Sequence, residues 1–243
     1  MYGVGYWIYK HAHLHPEREA LVTPTSRYTY GALNFEANRA AHALRAMGLR
    51  EGDRIGILSM NDPRFLFLLF GAAKIGLIVV PLNYRLAVPE LLYQIQDAGV
   101  RILFVGLEQA SMIEPLRAQG SLEEVVVLAE ESVEGALSYV SWVAGHPEHE
   151  PGNPLSWDLP LLIVYTSGTT GRPKGAVLTH ANQFWNAMND IIALRITAED
   201  TTLTLLPLVH VGGIGLFTLP TLLVGGRVVM PRRFDPDEAL RLI

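Results

Sequence analysis

The densest chemistry in this 243-residue sequence lies in Tyr165–Gly175, YTSGTTGRPKG. Hydroxyls at Thr166, Ser167, Thr169 and Thr170 can donate to phosphate oxygens. Gly168, Gly171 and Gly175 let backbone amides approach an anion closely, and Lys174 adds a point positive charge. Together these groups can cradle the β- and γ-phosphates of a nucleotide that departs as pyrophosphate. The order is not the Walker pattern. Lys174 follows Arg-Pro rather than Gly, and Gly175 stands where the magnesium-binding Ser or Thr would be. An ordinary Gly/Ser/Thr loop is the bland alternative, but the ordered run after an apolar strand argues against it. A second constellation is Leu206–Gly215, LPLVHVGGIG. Pro207 fixes the strand exit, and Gly212, Gly213 and Gly215 leave room beside His210. Taken alone, His210 on an apolar stretch reads as a core histidine.

The elements that must position these residues alternate between helix and strand. Thr29 is a helix N-cap, and Leu33, Ala37, Ala40, Leu44 and Met47 share one helical face, with Gly48 at the left-handed C-cap. Arg54–Met60 reads as a strand. Asn61, Asp62 and Pro63 start a helix that Gly76 stops, and Ile78–Val80 is a buried strand ended by Pro81. Pro89 begins a helix that ends at Gly99. Further strands are expected at Arg101–Val105 and Val125–Leu128, with a helix over Glu108–Ala118 between them. In the second half, Leu161–Tyr165 is a strand, Ala181–Leu194 a helix, Thr201–Leu206 a strand, Ile214–Val224 a helix and Arg227–Met230 a strand. Asp235-Pro236 caps a last helix, supported by Glu238. Short apolar strands separated by helices imply an α/β fold of parallel sheets covered on both faces. The Gly- and Pro-rich run 144–157 reads as a linker between a first α/β subdomain, 1–143, and a second, 158–243, that carries the phosphate loop.

Composition excludes several classes. Hydrophobic residues make up 49% and charged residues 18%, which is a globular rather than a disordered balance. Net charge is −5 without a basic block, so neither nucleic acid nor an anionic membrane surface is indicated. There is no cysteine, so any thiol in the reaction must come from a partner or co-substrate. The N-terminus has no signal-peptide pattern, and a cytoplasmic protein is expected. Phe65–Leu82 carries only Lys74 as a charge and mimics a membrane span, but its start and stop signals favour a buried helix and strand. His11, His13 and His15 alternate. A metal on a strand edge is conceivable, and solvated residues are the preferred reading. His146 and His149 fit a solvated linker.

The phosphate loop resembles the hallmark motif of the adenylate-forming superfamily, which includes acyl-CoA synthetases, firefly luciferases and the adenylation domains of peptide synthetases. Thr29-Tyr30-Gly31-Ala32-Leu33, Gly52–Ile57, Asn61 and Pro81-Leu82-Asn83 also stand where that family keeps similar residues, so the resemblance covers nearly the whole chain. It implies that Lys174 and the hydroxyls of Thr166, Ser167, Thr169 and Thr170, with Gly168 and Gly171, hold the pyrophosphate end of ATP. It also implies that Thr166 helps hold Mg2+. The segment around His210 is similar to the family's proline-x-x-histidine stretch. This implies that His210, Val211, Gly212 and Gly213 contact the acid, with His210 near the carboxylate; Val209 departs from the family's frequent aromatic residue. The implied activity is that of an AMP-forming acyl-CoA synthetase, using ATP and then coenzyme A. Because LPLVHVGGIGLFTLPTLL contains no Asp or Glu to pair an α-ammonium, a fatty or other non-amino acid is expected. The family's later adenine, ribose and catalytic-lysine motifs are absent. The expectation is therefore an N-terminal portion that self-associates, as a dimer, and is inactive alone. The alternatives are a non-catalytic remnant and an enzyme that loads a carrier protein.

Overall fold

The computed structural model describes residues 3–152, 155–166 and 172–243. In chain order the strands are β1 Glu19–Val22, β2 Arg27–Thr29, β3 Arg54–Leu58, β4 Ile78–Leu82, β5 Val100–Gly106, β6 Glu124–Leu128, β7 Leu137–Ser138, β8 Pro160–Thr166, β9 Lys174–Thr179, β10 Thr201–Leu203 and β11 Arg227–Val229. The helices are α1 Gly5–Leu14, α2 Tyr30–Ala46, α3 Pro63–Ile75, α4 Val88–Ala98, α5 Ile113–Gln119, α6 Tyr139–Val143, α7 His180–Leu194, α8 Leu219–Val224 and α9 Pro236–Leu242.

The strands form two sheets. One has the order β7-β6-β5-β3-β4-β8-β9, and the other β10-β11-β1-β2. Pairing is parallel except for the β8–β9 and β1–β2 hairpins. Alternating residues of the large sheet serve two cores, as a two-residue strand period requires. Ile55, Ile57, Ile102, Phe104 and Val126 join α1, α2 and α3 in a core that also takes Leu21 and Val228 of the small sheet. Leu58, Leu103, Val105, Val125 and Val127 face α4 and α5 on the other side.

Local signals account for most boundaries. The Thr29 hydroxyl accepts from the Ala32 amide, Asp62 from Arg64 and Asp235 from Glu238. Gly76 and Gly99 end their helices at φ 76° and 63°, where a side chain would be strained. In α3 every residue from Phe65 to Ile75 is buried, because α1 and α2 cover the side that the sheet does not. No helix among the described residues is long and apolar enough to cross a membrane.

Several expectations differ from what is observed. Pro81 lies inside β4 opposite Ile57 rather than ending it. Pairing of β4 with β8 is confined to Val79↔Leu162, so the lost amide interrupts little of a ladder on that side. The stretch expected as one helix over 108–118 is a 3-10 segment, Leu107–Met112, followed by α5. Likewise 214–224 begins as a π-helix, Gly213–Thr218, before α8. The run 144–157 does not separate two sheets. Strands β8 and β9 complete the large sheet begun in the first half, while β1 and β2 pair with β11 of the second. Nor are residues 150 and 151 of that run loose. Glu150 bonds the buried Lys74 at 2.7 Å and takes hydrogen bonds from Asn34 and Asn38, and Arg45 reaches the Pro151 carbonyl.

His11 also departs from the solvated reading. It lies on α1, not on a strand, is buried beneath Tyr30, and its Nε2 sits 2.9 Å from the Leu223 carbonyl. Burial lowers its pKa, with the backbone contact opposing.

Candidate functional site

Two features converge at the C-terminal ends of the parallel strands, where open α/β sheets place their ligand crevices. The first is the β8–β9 hairpin. Thr166 and Lys174 are its last paired residues, directly opposite each other and exposed. Opposed residues of an antiparallel pair project from the same face, so a hydroxyl and an ammonium stand side by side where the phosphate loop leaves the sheet. The opposite face is anchored. The Tyr165 hydroxyl donates to Asp97 at 2.6 Å, its ring meets Tyr93 edge-on, and the Tyr93 hydroxyl donates to the Pro173 carbonyl. Burial, then Asp97, pushes the Tyr165 pKa up, so it stays a donor. Gly175 faces this anchor, and a Cβ there would approach Ile163 to 2.7 Å. The expected contributors Ser167, Gly168, Thr169, Thr170 and Gly171 lie outside the described residues.

The second feature is a cavity of about 910 Å³ between the strand exits of the two sheets. The exit of β4, the strand beside β8, supplies Tyr84 and Arg85. The exit of β10 supplies Leu205, Leu206, Pro207 and His210, and that of β11 supplies Arg233 and Phe234. Leu203, Thr204, Met60, Gly212, Gly213 and Phe217 complete the walls, and among the described residues no carboxylate lines them. His210, Gly212 and Gly213 line this cavity, and Val211 does not; it is 49% exposed. The turn explains the split. The His210 amide donates to the Pro207 carbonyl, and those of Gly213 and Ile214 donate to the His210 carbonyl. This turn winds 210–214 into the π-helix and leaves Val211 on its outer side. Gly213 is sterically required, because a Cβ would land on the Pro207 carbonyl.

Sequence reasoning assigned no function to Arg85, Arg233 or the cavity aromatics, and it treated Asn61 as helix-start chemistry. Asp62 alone caps α3. Asn61 is 4% exposed and bonds backbone groups of residues 206, 208 and 231. The pair Asn-Asp before Pro63 held the only available signal, since one cap position needs just one of them. Arg232 was also missed. It forms a bridge to Asp62 at 2.7 Å and a bidentate contact with Glu108. Burial raises the Glu108 pKa, but the Arg232 hydrogen bond and charge outweigh it, and the net shift is downward.

The comparisons agree with this architecture. The family model described as "AMP-binding enzyme" matches residues 8–243. The chain is 36% identical over 241 residues to a feruloyl-CoA synthase from Amycolatopsis sp, covering 99% of this chain and 46% of that protein. It is 33% identical over 245 residues to the long-chain-fatty-acid–CoA ligase FadD13 of Mycobacterium tuberculosis, covering 100% and 48%. The inhibitor-bound N-terminal domain of FACL13 from Mycobacterium tuberculosis superposes with a TM-score of 0.90 at 32% identity, covering 100% of this chain and 60% of that one. The chain therefore spans about half the length of the curated relatives it matches, and it belongs to the AMP-binding enzyme family.

Proposed function

We propose that this chain is the phosphate- and acid-binding part of an acid–thiol ligase. The ligase joins an apolar, non-amino carboxylic acid to AMP and then to coenzyme A. One observation carries the reading: the Thr166–Lys174 hairpin end and the carboxylate-free cavity with His210 both open at the strand exits around β4. Charge supports it. Arg85, Lys174 and Arg233 have no acidic partner among the described residues, whereas neighbouring Arg232 is fully paired. Two arginines without an acidic partner on the wall of a largely apolar cavity, Arg85 and Arg233, suit a ligand that is anionic at one end and greasy at the other.

In the reaction, a carboxylate oxygen attacks the α-phosphorus of ATP and the bond to the bridging oxygen breaks. Pyrophosphate leaves with the electron pair. A thiolate then attacks the acyl carbon and AMP departs. No proton has to move in the first step, so charge stabilisation and alignment carry it. Lys174 and the loop hydroxyls neutralise the pyrophosphate, and His210 orients the carboxylate. The hydroxyl of Thr166 is a hard oxygen donor at the loop's exit and fits Mg2+ as one ligand beside phosphate oxygens and water. That ion would supply further charge neutralisation.

Among the described residues no carboxylate lines the cavity, which speaks against amino acids, whose buried ammonium would stay unpaired. Fatty acids satisfy the apolar walls. Aryl acids are a second reading, favoured by Tyr84, Phe217 and Phe234 and by the feruloyl-CoA relative. Isothermal titration of the chain with ATP, pyrophosphate, octanoate, ferulate and phenylalanine tests the reading. Binding of ATP and of at least one simple acid, but not phenylalanine, is expected. Binding of none, or preference for the amino acid, overturns it. The stronger of the two simple acids decides the substrate class.

A further inference from the structure

Asn61 has a place in the structure that helix capping does not explain. It leaves the C-terminal end of β3, in the centre of the large sheet, and all its side-chain hydrogen bonds go to the small sheet's loops. Its Oδ1 accepts from the Leu208 amide at 2.8 Å, and its Nδ2 donates to the Leu206 and Pro231 carbonyls, both at 3.3 Å. The two amide protons and one carbonyl lone pair are thereby used. Its backbone joins the same bracket. The Asn61 amide donates to the Arg232 carbonyl at 3.2 Å, and its carbonyl accepts from the Arg232 guanidinium at 3.0 Å.

These contacts matter because of what the bracketed residues carry. Leu206 and Pro207 line the cavity and lead directly to His210, whose turn starts from the Pro207 carbonyl. Pro231 and Arg232 lead to Arg233 and Phe234 on the other wall. One buried amide therefore ties two cavity walls, from separate loops of one sheet, to the centre of the other sheet. The hairpin with Thr166 and Lys174 hangs from β8 and is anchored by Tyr93 and Asp97, outside the bracket.

We infer that Asn61 is a positioning residue for the acid end of the site: it fixes the spacing of the two sheets, and with it His210 and the Arg233 wall, and leaves the phosphate end untouched. The clamp stands on geometry, while its effect on acid binding rests on the function proposed above. Only an amide suits the task, since the position needs one acceptor and two donors in one plane. Asp keeps the acceptor and loses both donors, and it would face two carbonyls with a buried charge.

The test uses the 243-residue chain, labelled for NMR, as wild type and as Asn61→Asp. In the wild type, the Asn61 side-chain amide protons should exchange at least 10-fold more slowly than a solvated amide, consistent with a buried bonded donor. In Asn61→Asp the Leu208 amide keeps an acceptor, but both donor bonds are lost and the carboxylate repels the Leu206 and Pro231 carbonyls. The bracket should loosen, so that the Gly213 amide exchanges about 10-fold faster and the Leu208, His210 and Gly212 signals shift. Amides of Gly175–Thr179 should not move. Where octanoate or ferulate binds the wild type, its affinity should fall about 10-fold while pyrophosphate affinity holds. Unprotected Asn61 amide protons in the wild type overturn the clamp, even if the variant does not fold. Unchanged Leu208 and His210 signals in a folded variant overturn it as well, and so does an equal loss of pyrophosphate binding. If the wild type binds neither acid, the functional reading fails, and the exchange measurements still decide the clamp.

Discussion

At the scale of single residues, the site depends on a few atoms that have no substitute. Lys174 faces Thr166 at the hairpin end with no acidic partner among the described residues. Lys174→Ala should weaken pyrophosphate binding by about 1.5–3 kcal/mol, the worth of a charge-assisted contact, and leave the melting temperature unchanged. Titration calorimetry and a thermal melt check this together, and equal affinities would remove Lys174 from the cradle. Gly213 makes a steric prediction. A methyl group there collides with the Pro207 carbonyl, and backbone cannot move aside as a side-chain tip can. Gly213→Ala should destabilise the chain by about 1–3 kcal/mol and perturb the His210 turn. Gly212→Ala meets only the end of the Leu206 side chain at 3.2 Å and should cost less. Denaturant melts of the two variants test that ranking.

At the scale of elements, two contacts tie sequence-distant segments together. His180 opens α7 directly after β9, and its Nδ1 accepts from the Val4 amide at 3.0 Å. Burial lowers its pKa from 6.5 to about 4. A depressed histidine pKa means that the unfolded chain takes up a proton before the folded one does. Stability is therefore fully present above about pH 6.5 and falls as the pH drops towards 4. The loss should approach roughly 3 kcal/mol. The pH dependence of urea unfolding should flatten over this range in His180→Gln, and identical slopes would refute the assignment. The second contact is Lys74–Glu150. Lys74 has a side chain only 4% exposed, against 35% for Glu150. Burial lowers the Lys74 pKa, while Glu150 pulls it back up. Removing the partners should therefore be asymmetric. Glu150→Ala strands a buried ammonium and should cost about 3–5 kcal/mol, whereas Lys74→Met leaves a carboxylate that can reach water and should cost less. Equal losses would contradict this account.

At the scale of the whole molecule, the chain provides a phosphate hairpin and a cavity open between two sheets, over 46–48% of the length of its relatives. Adenylation requires a carboxylate in line with the α-phosphate, and an ångström of misplacement can cost a factor of about 100. Our expectation is that the 243-residue chain binds ligands without turning over. Incubation with ATP, Mg2+, coenzyme A, octanoate and ferulate, followed by mass spectrometry for AMP and acyl-CoA, tests this. Multiple turnovers free of contaminating synthetase would show that these walls are sufficient by themselves.

What could be read from sequence followed from interactions between near neighbours. The caps at Thr29, Asp62 and Asp235 and the stops at Gly76 and Gly99 depend on bonds and dihedral angles within a few residues. The alternation of Ile55, Ile57 and Leu58 between two cores follows from the strand period alone. The motifs that carry Thr166, Lys174 and His210 could be picked out for the same reason, because each is contiguous. Tertiary structure decided the rest. The linker-like polarity of 144–152 did not reveal that Glu150 would be fixed by a lysine on α3, because that partner lies 76 positions away. The His11 reading failed for a similar reason, since its contact at Leu223 is 212 positions away. Asn61 carries no local mark of its task, as its three acceptor and donor partners sit 145 to 170 positions downstream. A local sequence can say that a polar group needs partners. Only the packing of one sheet against the other determines which groups those are, and so how far apart the two walls of the cavity stand.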